Sequence, residues 1–210
     1  MTTRLLLADD HMLFAQALAG LLSQRFEILE IVGDGRALQI AARKHRPDVV
    51  IADITMPLMS GLDSVRSLLK ESDKPKVVFL TMHADPELAR ECFRCGASAF
   101  VTKDLSFDEL LVAIDCVLAN KRYISPNIAS ELIDVFRNPD TEEETTDPLT
   151  SRQREILQLL AEGRTMKEIA SATNLSTRTV EWHKYRMMQI LQVRRSAELV
   201  QHAVKMKLVI

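Results

Sequence analysis

The fold of this chain is decided by the stretch DVVIAD at residues 48–53. It follows Pro47, and its apolar residues end at the carboxylate of Asp53, which predicts a short buried strand. The run LLLA at residues 5–8 is a second apolar segment of this kind, and it ends at Asp9 and Asp10. Because open α/β sheets bind ligands at the carboxyl ends of their parallel strands, we expect these acids to meet at one edge.

Three carboxylates at short range repel one another, and a hard cation relieves that repulsion. Carboxylate oxygens are ligands that suit Mg²⁺, so Asp9, Asp10 and Asp53 predict a magnesium site. His11 is expected to lie beside this site and not to serve as a ligand. The alternative for Asp9 and Asp10 is a helix cap, because carboxylates also stabilise the N-terminus of a following helix.

Two further apolar runs bring a hydroxyl and an ammonium to the same edge. The run VVFL at residues 77–80 is followed by Thr81, and AFVT at residues 99–102 is followed by Lys103. These groups are suited to hold the oxygens of a phosphoryl group beside a metal ion. Together with the three acids they indicate phosphate chemistry, whereas Thr81 alone would be an ordinary residue at the end of a strand.

Strand-like and helix-like segments alternate five times over the first 120 or so residues. This pattern is typical of an α/β domain with a doubly wound, five-stranded parallel sheet. The predicted strands span residues 4–8, 27–32, 48–53, 76–81 and 98–102. The predicted helices span residues 12–23, 35–45, 61–71, 86–95 and 106–119.

A linker is predicted from the segment NPDTEEETTDP at residues 138–148. Two prolines bracket an acidic stretch without apolar residues, which can bury nothing and is expected to be solvated. Pro126 favours one more helix before it, since proline suits the first turn of a helix. We therefore predict a first domain at residues 1–122, a linker helix and acidic linker at residues 123–147, and a second, smaller all-α domain at residues 148–210.

The second domain differs from the rest of the chain in its charge. Residues 148–210 carry 11 Lys and Arg against 5 Asp and Glu, a net charge of +6, whereas residues 1–147 carry 16 against 24, a net charge of −8. A basic domain beside an acidic one suggests a nucleic-acid partner. Its apolar periodicity predicts helices at residues 152–161, 166–173, 177–191 and 197–207. Thr150 and Ser196 are predicted to cap the first and the last of them, and Gly163 is predicted to end the first. The middle pair forms a helix, a tight turn and a longer helix, which is a helix-turn-helix.

Composition excludes several other classes of protein. No apolar stretch approaches the roughly 20 residues of a membrane span, and no signal peptide precedes the first strand, so we expect a cytoplasmic protein without a membrane partner. Three cysteines fit a reducing compartment. Cys92 and Cys95 form a C-x-x-C, but no second Cys or His pair accompanies it, so an incidental spacing is favoured over a redox or metal site.

Several motifs resemble those of a known family. ADDH at residues 8–11, DITMP at 53–57 with Gly61, Thr81 and FVTK at 100–103 resemble the flavodoxin-like receiver domain of two-component response regulators. LTSRQREIL at residues 149–157, KEIA at 167–170 and LSTRTVEWH at 175–183 resemble the LuxR-type DNA-binding domain. Together they resemble a response regulator of the NarL/FixJ type.

This resemblance implies roles for the residues at the edge of the sheet. Asp53 would accept a phosphoryl group from the phosphohistidine of a sensor kinase. Lys103 would pair with the acids and the phosphoryl group, Thr81 would bond a phosphoryl oxygen, and Phe100 would act as a switch that turns inward when Thr81 moves. An ordinary core position is the alternative for Phe100. The residues that would hold Mg²⁺ are Asp9, Asp10, Asp53 and, through its backbone carbonyl, Thr55.

For the helix-turn-helix, the resemblance implies contacts with double-stranded DNA. The residues that would approach base edges in the major groove are Glu181, Trp182 and Tyr185. The residues placed for the DNA backbone are Lys167, Arg178, Thr179, His183, Lys184 and Arg186. Exposed Trp and Tyr on a basic helix are costly unless a partner covers them. The alternatives are that Trp182 packs on another part of the chain and that His183 has a structural role.

Three hypotheses for the function follow. The preferred one is a transcription regulator that a sensor histidine kinase phosphorylates on Asp53, and that then dimerises, binds DNA and acts on the transcription machinery. Such a protein is not an enzyme beyond, at most, slow self-dephosphorylation. The second is a Mg²⁺-dependent phosphohydrolase that uses Asp53 or Asp9 as its nucleophile. The third keeps DNA binding but places its control outside phosphorylation.

Overall fold

The computed structural model describes residues 2–71, 74–82, 85–104, 106–129, 149–206 and 208–209. The chain divides into two compact units, residues 1–134 and 135–210, called here the N-terminal and the C-terminal domain. The predicted acidic linker lies outside the described residues. Of the helix predicted after Pro126, residues 126–129 are described and are helical. Within the described parts of the chain, every helix is too short or too polar to serve as a membrane span.

A six-stranded parallel sheet with the order β2-β1-β3-β4-β5-β6 forms the N-terminal domain. Its strands are β1 Arg4–Ala8, β2 Glu27–Val32, β3 Val49–Ala52, β4 Lys76–Thr81, β5 Ala99–Thr102 and β6 Tyr123–Ile124. The predicted doubly wound parallel sheet is confirmed, but the prediction of five strands is wrong by one. The sixth strand has two residues, which is too short to produce a recognisable apolar pattern in the sequence.

Five helices connect the strands of this domain. They are α1 Met12–Leu22, α2 Gly35–His45, α3 Gly61–Leu68, α4 Pro86–Arg94 and α5 Phe107–Leu118. Four of them begin at a side chain that accepts hydrogen bonds from first-turn N–H groups, namely Asp34, Ser60, Asp85 and Ser106. These caps satisfy donors that no residue inside the helix can reach. Helix α1 differs, because its N-cap residue, His11, makes no side-chain cap bond.

The sheet is buried on both faces, as an all-parallel sheet requires. Leu5 and Leu7 pack in one core with residues of α1 and α5, while Leu6, which points to the opposite face, is also fully buried. A one-residue slip would carry every side chain of a strand to the opposite face of the sheet. The observed register pairs Leu5 with Val49 and Leu7 with Ile51. In that register Ala8 lies opposite Ala52, and the residues that follow them start the site at the same edge.

In the described part of the C-terminal domain the chain forms four helices: α6 Ser151–Ala161, α7 Met166–Ala172, α8 Thr177–Ile190 and α9 Ser196–Lys205. They share an apolar core that includes Ile156, Ile169, Val180 and Met187. The predicted helix-turn-helix is confirmed as α7 and α8. The turn between them contains Asn174, whose φ of 52° lies in the left-handed region, where asparagine is tolerated better than most residues.

Local signals in the sequence set the ends of these short helices. Thr150 and Thr165 each close a capping box at the start of α6 and α7, with Gln153 and Glu168 as the reciprocal partners. Gly163, with a φ of 84°, follows the end of α6 and adopts the left-handed conformation that commonly ends a helix.

Candidate functional site

The acid cluster lies at the carboxyl edge of the sheet, directly after β1 and β3. The backbone N–H of Asp53 donates to the Ala8 carbonyl at 2.8 Å, and that of Asp9 donates to the Val32 carbonyl at 2.9 Å. These bonds continue the ladder past the strand ends, so both residues are held level with one another. Both residues are almost completely buried, Asp9 at 5% and Asp53 at 2% exposure.

Lys103 joins the two acids from the end of β5. Its Nζ lies 2.8 Å from Asp53 Oδ2 and 2.5 Å from Asp9 Oδ2. The lysine side chain is 2% exposed, so these contacts form where water screens little of the attraction between the charges. The backbone N–H of Lys103 donates to the Thr81 carbonyl at 2.7 Å. This bond ties the end of β4 to the same site.

Asp10 and His11 complete the cluster on its more open side. Asp9, Asp10, His11 and Asp53 each offer a ligand atom, and these atoms lie within 4.8 Å of one another. His11 Nδ1 is 3.2 Å from Asp10 Oδ1 and 3.3 Å from Asp9 Oδ1, so the imidazole is closer to the acids than the sequence suggested. Three converging carboxylates provide the hard oxygen ligands that fit Mg²⁺.

The loop between β3 and α3 shapes the surroundings of Asp53. The Thr55 backbone N–H donates to Asp53 Oδ1 at 3.2 Å, and its hydroxyl donates to the same oxygen at 3.4 Å. At the end of the loop, a Cβ on Gly61 would lie 1.9 Å from the Asp53 carbonyl oxygen. Only glycine permits so close an approach without a shift of the backbone. The loop therefore returns to the aspartate from which it starts.

Thr81 and Phe100 are both fully buried. Thr81 ends β4 and lies opposite Thr102 of β5, and Phe100 lies opposite Phe79 in the same pair of strands. The sequence placed Thr81 at the edge of the sheet correctly. Phe100 lies inside the sheet in this conformation, a position that is compatible both with a core residue and with the inward state of a switch.

One aromatic neighbour of the site was missed in the sequence. The Phe14 ring, in the first turn of α1, lies with its centroid 4.9 Å from Lys103 Nζ. That distance is within the range of a cation–π contact. In the sequence, Phe14 is one of several apolar residues of an amphipathic helix, and no local pattern distinguishes it from a core position.

The exposed surface of α8 includes most of the residues predicted for DNA contact. Glu181 and Tyr185 are exposed, Tyr185 by 53%. Lys167 on α7 is also exposed, and the partly exposed members of the set are Arg178, Trp182, Lys184 and Arg186. Trp182 also packs edge-on against the His183 ring, with centroids 4.7 Å apart. Because His183 is the next residue of the same helix, this contact leaves the alternative that Trp182 packs on another part of the chain open.

Two residues of the predicted DNA-binding set are corrected. Thr179 and His183 are fully buried, so their side chains present no surface to a nucleic acid in this conformation. The Thr179 backbone N–H donates to the cap residue Ser176 at 3.0 Å, which is a structural role. Both positions lie on the same helical face as Val180 and Met187, and we leave them out of the proposed interface.

Cys92 on α4 is buried, and Cys95, which follows the end of α4, is half-buried. Desolvation raises the pKa of Cys92 well above its usual value and raises that of Cys95 to about 11. Redox catalysis and metal binding require the thiolate. These shifts therefore weaken the redox and metal interpretations of the C-x-x-C further.

Comparison with known families divides the chain in the same way as its structure. Residues 5–115 match the family described as response regulator receiver domain. Residues 147–203 match the family described as bacterial regulatory proteins, luxR family. The two matches leave uncovered mainly the segment that contains the predicted linker.

Full-length relatives are also found. The chain is 33% identical over 203 residues to the transcriptional regulatory protein MctR of Rhizobium johnstonii, covering 95% of this chain and 92% of that protein. It is 32% identical over 213 residues to the oxygen regulatory protein NreC of Staphylococcus carnosus, covering 98% of each.

Among solved structures, a LuxR-family two-component response regulator from Aurantimonas sp. matches with a TM-score of 0.62 and 28% identity, over 66% of this chain and all of that one. RcsB of Salmonella enterica serovar Typhimurium, bound to a promoter, matches with a TM-score of 0.62 over 96% of this chain and 97% of its own. At 23% identity, the likeness to RcsB concerns the fold alone.

Proposed function

Because the chain belongs to the two-component response regulators of the NarL/FixJ type, with a receiver domain and a LuxR-type helix-turn-helix, we propose that Asp53 is its phosphoacceptor. The protein is a transcription regulator. The observation that carries the proposal is the convergence of Asp9, Asp53 and Lys103, with Lys103 Nζ within 2.8 Å of both carboxylates. A buried carboxylate beside a buried ammonium and further acids suits transfer of a phosphoryl group to carboxylate oxygen.

Mg²⁺ is the proposed cofactor, held by Asp9, Asp10, Asp53 and the backbone carbonyl of Thr55. When bound, the ion would neutralise charge on the phosphoryl oxygens. The residues of the chain supply the rest. Asp53 provides the nucleophilic oxygen, and the Thr55 N–H that now bonds its Oδ1 orients it. Self-dephosphorylation, if catalysed at all, is proposed to be slow.

Lys103 is proposed to exchange partners during the reaction. In the unphosphorylated protein its ammonium bonds Asp9 and Asp53. Once Asp53 becomes an acyl phosphate, the ammonium is free to pair with a phosphoryl oxygen instead, which is a strong charge-assisted contact. Thr81 would donate its hydroxyl to another oxygen of the group, and Phe100 is proposed to follow the movement of Thr81 as the switch.

Phosphorylation is proposed to promote a homodimer that presents two copies of α8 to double-stranded DNA. Glu181, Trp182 and Tyr185 would face base edges in the major groove. The proposed phosphate contacts are Lys167, Arg178, Lys184 and Arg186. The partners are a sensor histidine kinase and the transcription machinery, which places the protein in the cytoplasm. We also propose the predicted division into three parts, with the first boundary moved from residue 122 to Ile124 because β6 belongs to the sheet. The parts are then residues 1–124, 125–147 and 148–210.

The test is covalent labelling with acetyl phosphate and Mg²⁺, followed by phosphate-affinity electrophoresis and DNA binding. We expect the wild type to take one phosphoryl group and to bind DNA more tightly, and Asp53→Asn to do neither. Asp108→Asn, which changes an exposed residue at the start of α5, is the control and should behave as wild type.

Three results would contradict the proposal in different ways. Labelling of Asp53→Asn to the same extent as wild type would show that another residue is the phosphoacceptor. Equal DNA binding with and without label would favour control outside phosphorylation. Steady turnover of phosphate at more than about one per second would favour a phosphohydrolase.

A further inference from the structure

Lys103 is positioned by an uncharged neighbour as well as by the acids. The Phe14 ring centroid lies 4.9 Å from its Nζ. The ring comes from the first turn of α1, whereas Lys103 follows the end of β5. We propose that Phe14 is a positioning residue that holds the Lys103 ammonium in line with Asp53 through a cation–π contact. This inference rests on the proposed role of Asp53 as the phosphoacceptor.

The burial of the lysine makes the contact effective. The Lys103 side chain is 2% exposed, and a cation–π contact is strongest where water is excluded. Phe14 itself is 37% exposed, so the ring lies between the ammonium and the surface. Phe14 and Lys103 also line one apolar surface groove of about 190 Å³, together with Leu18, Leu80 and Val101. The ring therefore contributes to the shielding of the ammonium from solvent on this side.

The Phe14 ring differs from the two carboxylates because it has no other proposed partner than Lys103. Asp9 and Asp53 are both proposed to serve other groups, since Asp9 would hold Mg²⁺ and Asp53 would carry the phosphoryl group. Their attraction for the Lys103 ammonium is then weaker, because Asp9 also interacts with Mg²⁺ and Asp53 is bonded to the phosphoryl group. The Phe14 ring is not expected to bind Mg²⁺ or the phosphoryl group. Its cation–π attraction for the Lys103 ammonium should therefore persist while the carboxylates change partners.

The first measurement concerns the contact itself. Because Lys103 Nζ lies 4.9 Å from the Phe14 ring centroid, we expect the NMR signals of the adjacent ε-methylene protons to be shifted upfield in the wild type and in Phe14→Tyr. In Phe14→Leu, which keeps an apolar side chain but no ring, the upfield shift should disappear. An unshifted Lys103 signal in the wild type would overturn the proposal, whatever the outcome of the labelling experiments.

The second measurement is the rate of labelling of the full chain by acetyl phosphate and Mg²⁺. We expect Phe14→Leu to be slower by about thirtyfold, the rate equivalent of one desolvated cation–π contact, and Phe14→Tyr to stay within about twofold of wild type. Leu13→Ala is the matched control, because Leu13 is the next residue of α1 and is 86% exposed; its rate should not change.

Each other pattern of rates overturns the positioning role. An unchanged rate in Phe14→Leu would show that the ring is not needed. An equal loss in Phe14→Tyr or in Leu13→Ala would assign the effect to disturbed packing of α1. A wild type that takes no label on Asp53 would refute the proposed function instead, and the NMR signal of Lys103 would still decide whether the ring holds the ammonium.

Discussion

The proposed phosphorylation site and the proposed DNA-binding surface are built in opposite ways. Asp9, Asp53 and Lys103 come from distant parts of the chain and meet because three strands of one sheet end at the same edge. The proposed DNA contacts lie almost entirely within a single helix, α8. The charges of the first set are buried and paired, whereas those of the second set face solvent.

This difference predicts how each site responds to change. In the receiver domain the removal of one charge leaves its partners buried and uncompensated, which costs several kcal/mol. On α8 the removal of one charge leaves a surface that water can still solvate, so affinity should fall by a modest factor. A single substitution in the receiver site should therefore have a large effect. A single substitution on the DNA surface should lower DNA affinity only in part.

The largest expected effect concerns Lys103. We expect Lys103→Ala to lower the free energy of unfolding of the receiver domain by about 3 kcal/mol, because two buried carboxylates lose their cation. Urea unfolding followed by far-UV circular dichroism measures it. The control is Lys44→Ala, since Lys44 is 66% exposed and lies 3.8 Å from Glu30; its loss should cost less than about 1 kcal/mol. Equal costs for the two variants would remove the contrast between buried and exposed pairs.

The next prediction tests whether α8 also contains a position at which a single substitution has a large effect, in this case on the preferred DNA sequence. A carboxylate facing the major groove accepts a hydrogen bond from the cytosine amino group, whereas an amide pairs with adenine, and the discrimination is about 1–3 kcal/mol. We expect selection from randomised duplexes to favour cytosine at one position of each half-site for the wild type and adenine for Glu181→Gln. Glu162→Gln, an exposed glutamate at the end of α6, is the control. The same preferred sequence for all three proteins would exclude base recognition by Glu181.

A smaller, graded effect is expected at Lys184. A lysine that contacts one phosphate contributes to affinity independently of sequence, so Lys184→Ala should weaken binding to all duplexes alike, by about fivefold, and reduce the salt slope by about 1. Fluorescence anisotropy at several KCl concentrations measures both quantities. Lys205→Ala, an exposed residue of α9, should leave the slope unchanged. A sequence-dependent loss at Lys184 would place it at base edges and not at the backbone.

The smallest effect is a pH dependence in the helix-turn-helix. The Thr165 backbone N–H and hydroxyl both donate to Glu168, and these bonds lower the pKa of Glu168 from its usual 4.5. The stabilisation is therefore complete above that usual value and is lost as pH falls through the lowered pKa. In Glu168→Gln this part of the acid dependence should vanish.

Trp182 is the only tryptophan of the chain, so its fluorescence reports denaturant unfolding of the C-terminal domain at each pH. The pH profiles of wild type and Glu168→Gln should converge in acid and separate near neutrality. Parallel profiles would mean that the capping box contributes nothing through the charge of Glu168.

The sequence was most informative where a simple geometric rule applies. Parallel strands end at a common edge, so the apolar runs before Asp9, Asp53 and Lys103 were sufficient to predict that these residues meet. The cap residue Thr150 and the helix end at Gly163 were predicted for the same reason, since each depends on a few neighbouring residues.

The sequence failed where the outcome depends on packing between elements. The contact of Phe14 with Lys103 depends on where α1 lies over the sheet, which no local pattern specifies. The assignment of Thr179 and His183 to DNA followed their position in a family motif, although helical periodicity places both on the face of Val180. Ser196 was expected to cap α9, yet the cap position is Arg195 without a side-chain bond, and Glu198 instead accepts the Arg194 N–H.

The contact between Gly61 and the Asp53 carbonyl oxygen also limits how this protein could be redesigned. The loop of residues 54–60 is an obvious place to graft a foreign segment in order to alter the lifetime of the signal. If the grafted segment also replaced Gly61 by any other residue, α3 would be forced away from the sheet, because even a methyl group at position 61 would overlap the Asp53 carbonyl oxygen. An exchange of this loop must therefore keep glycine at position 61 or include a redesign of α3.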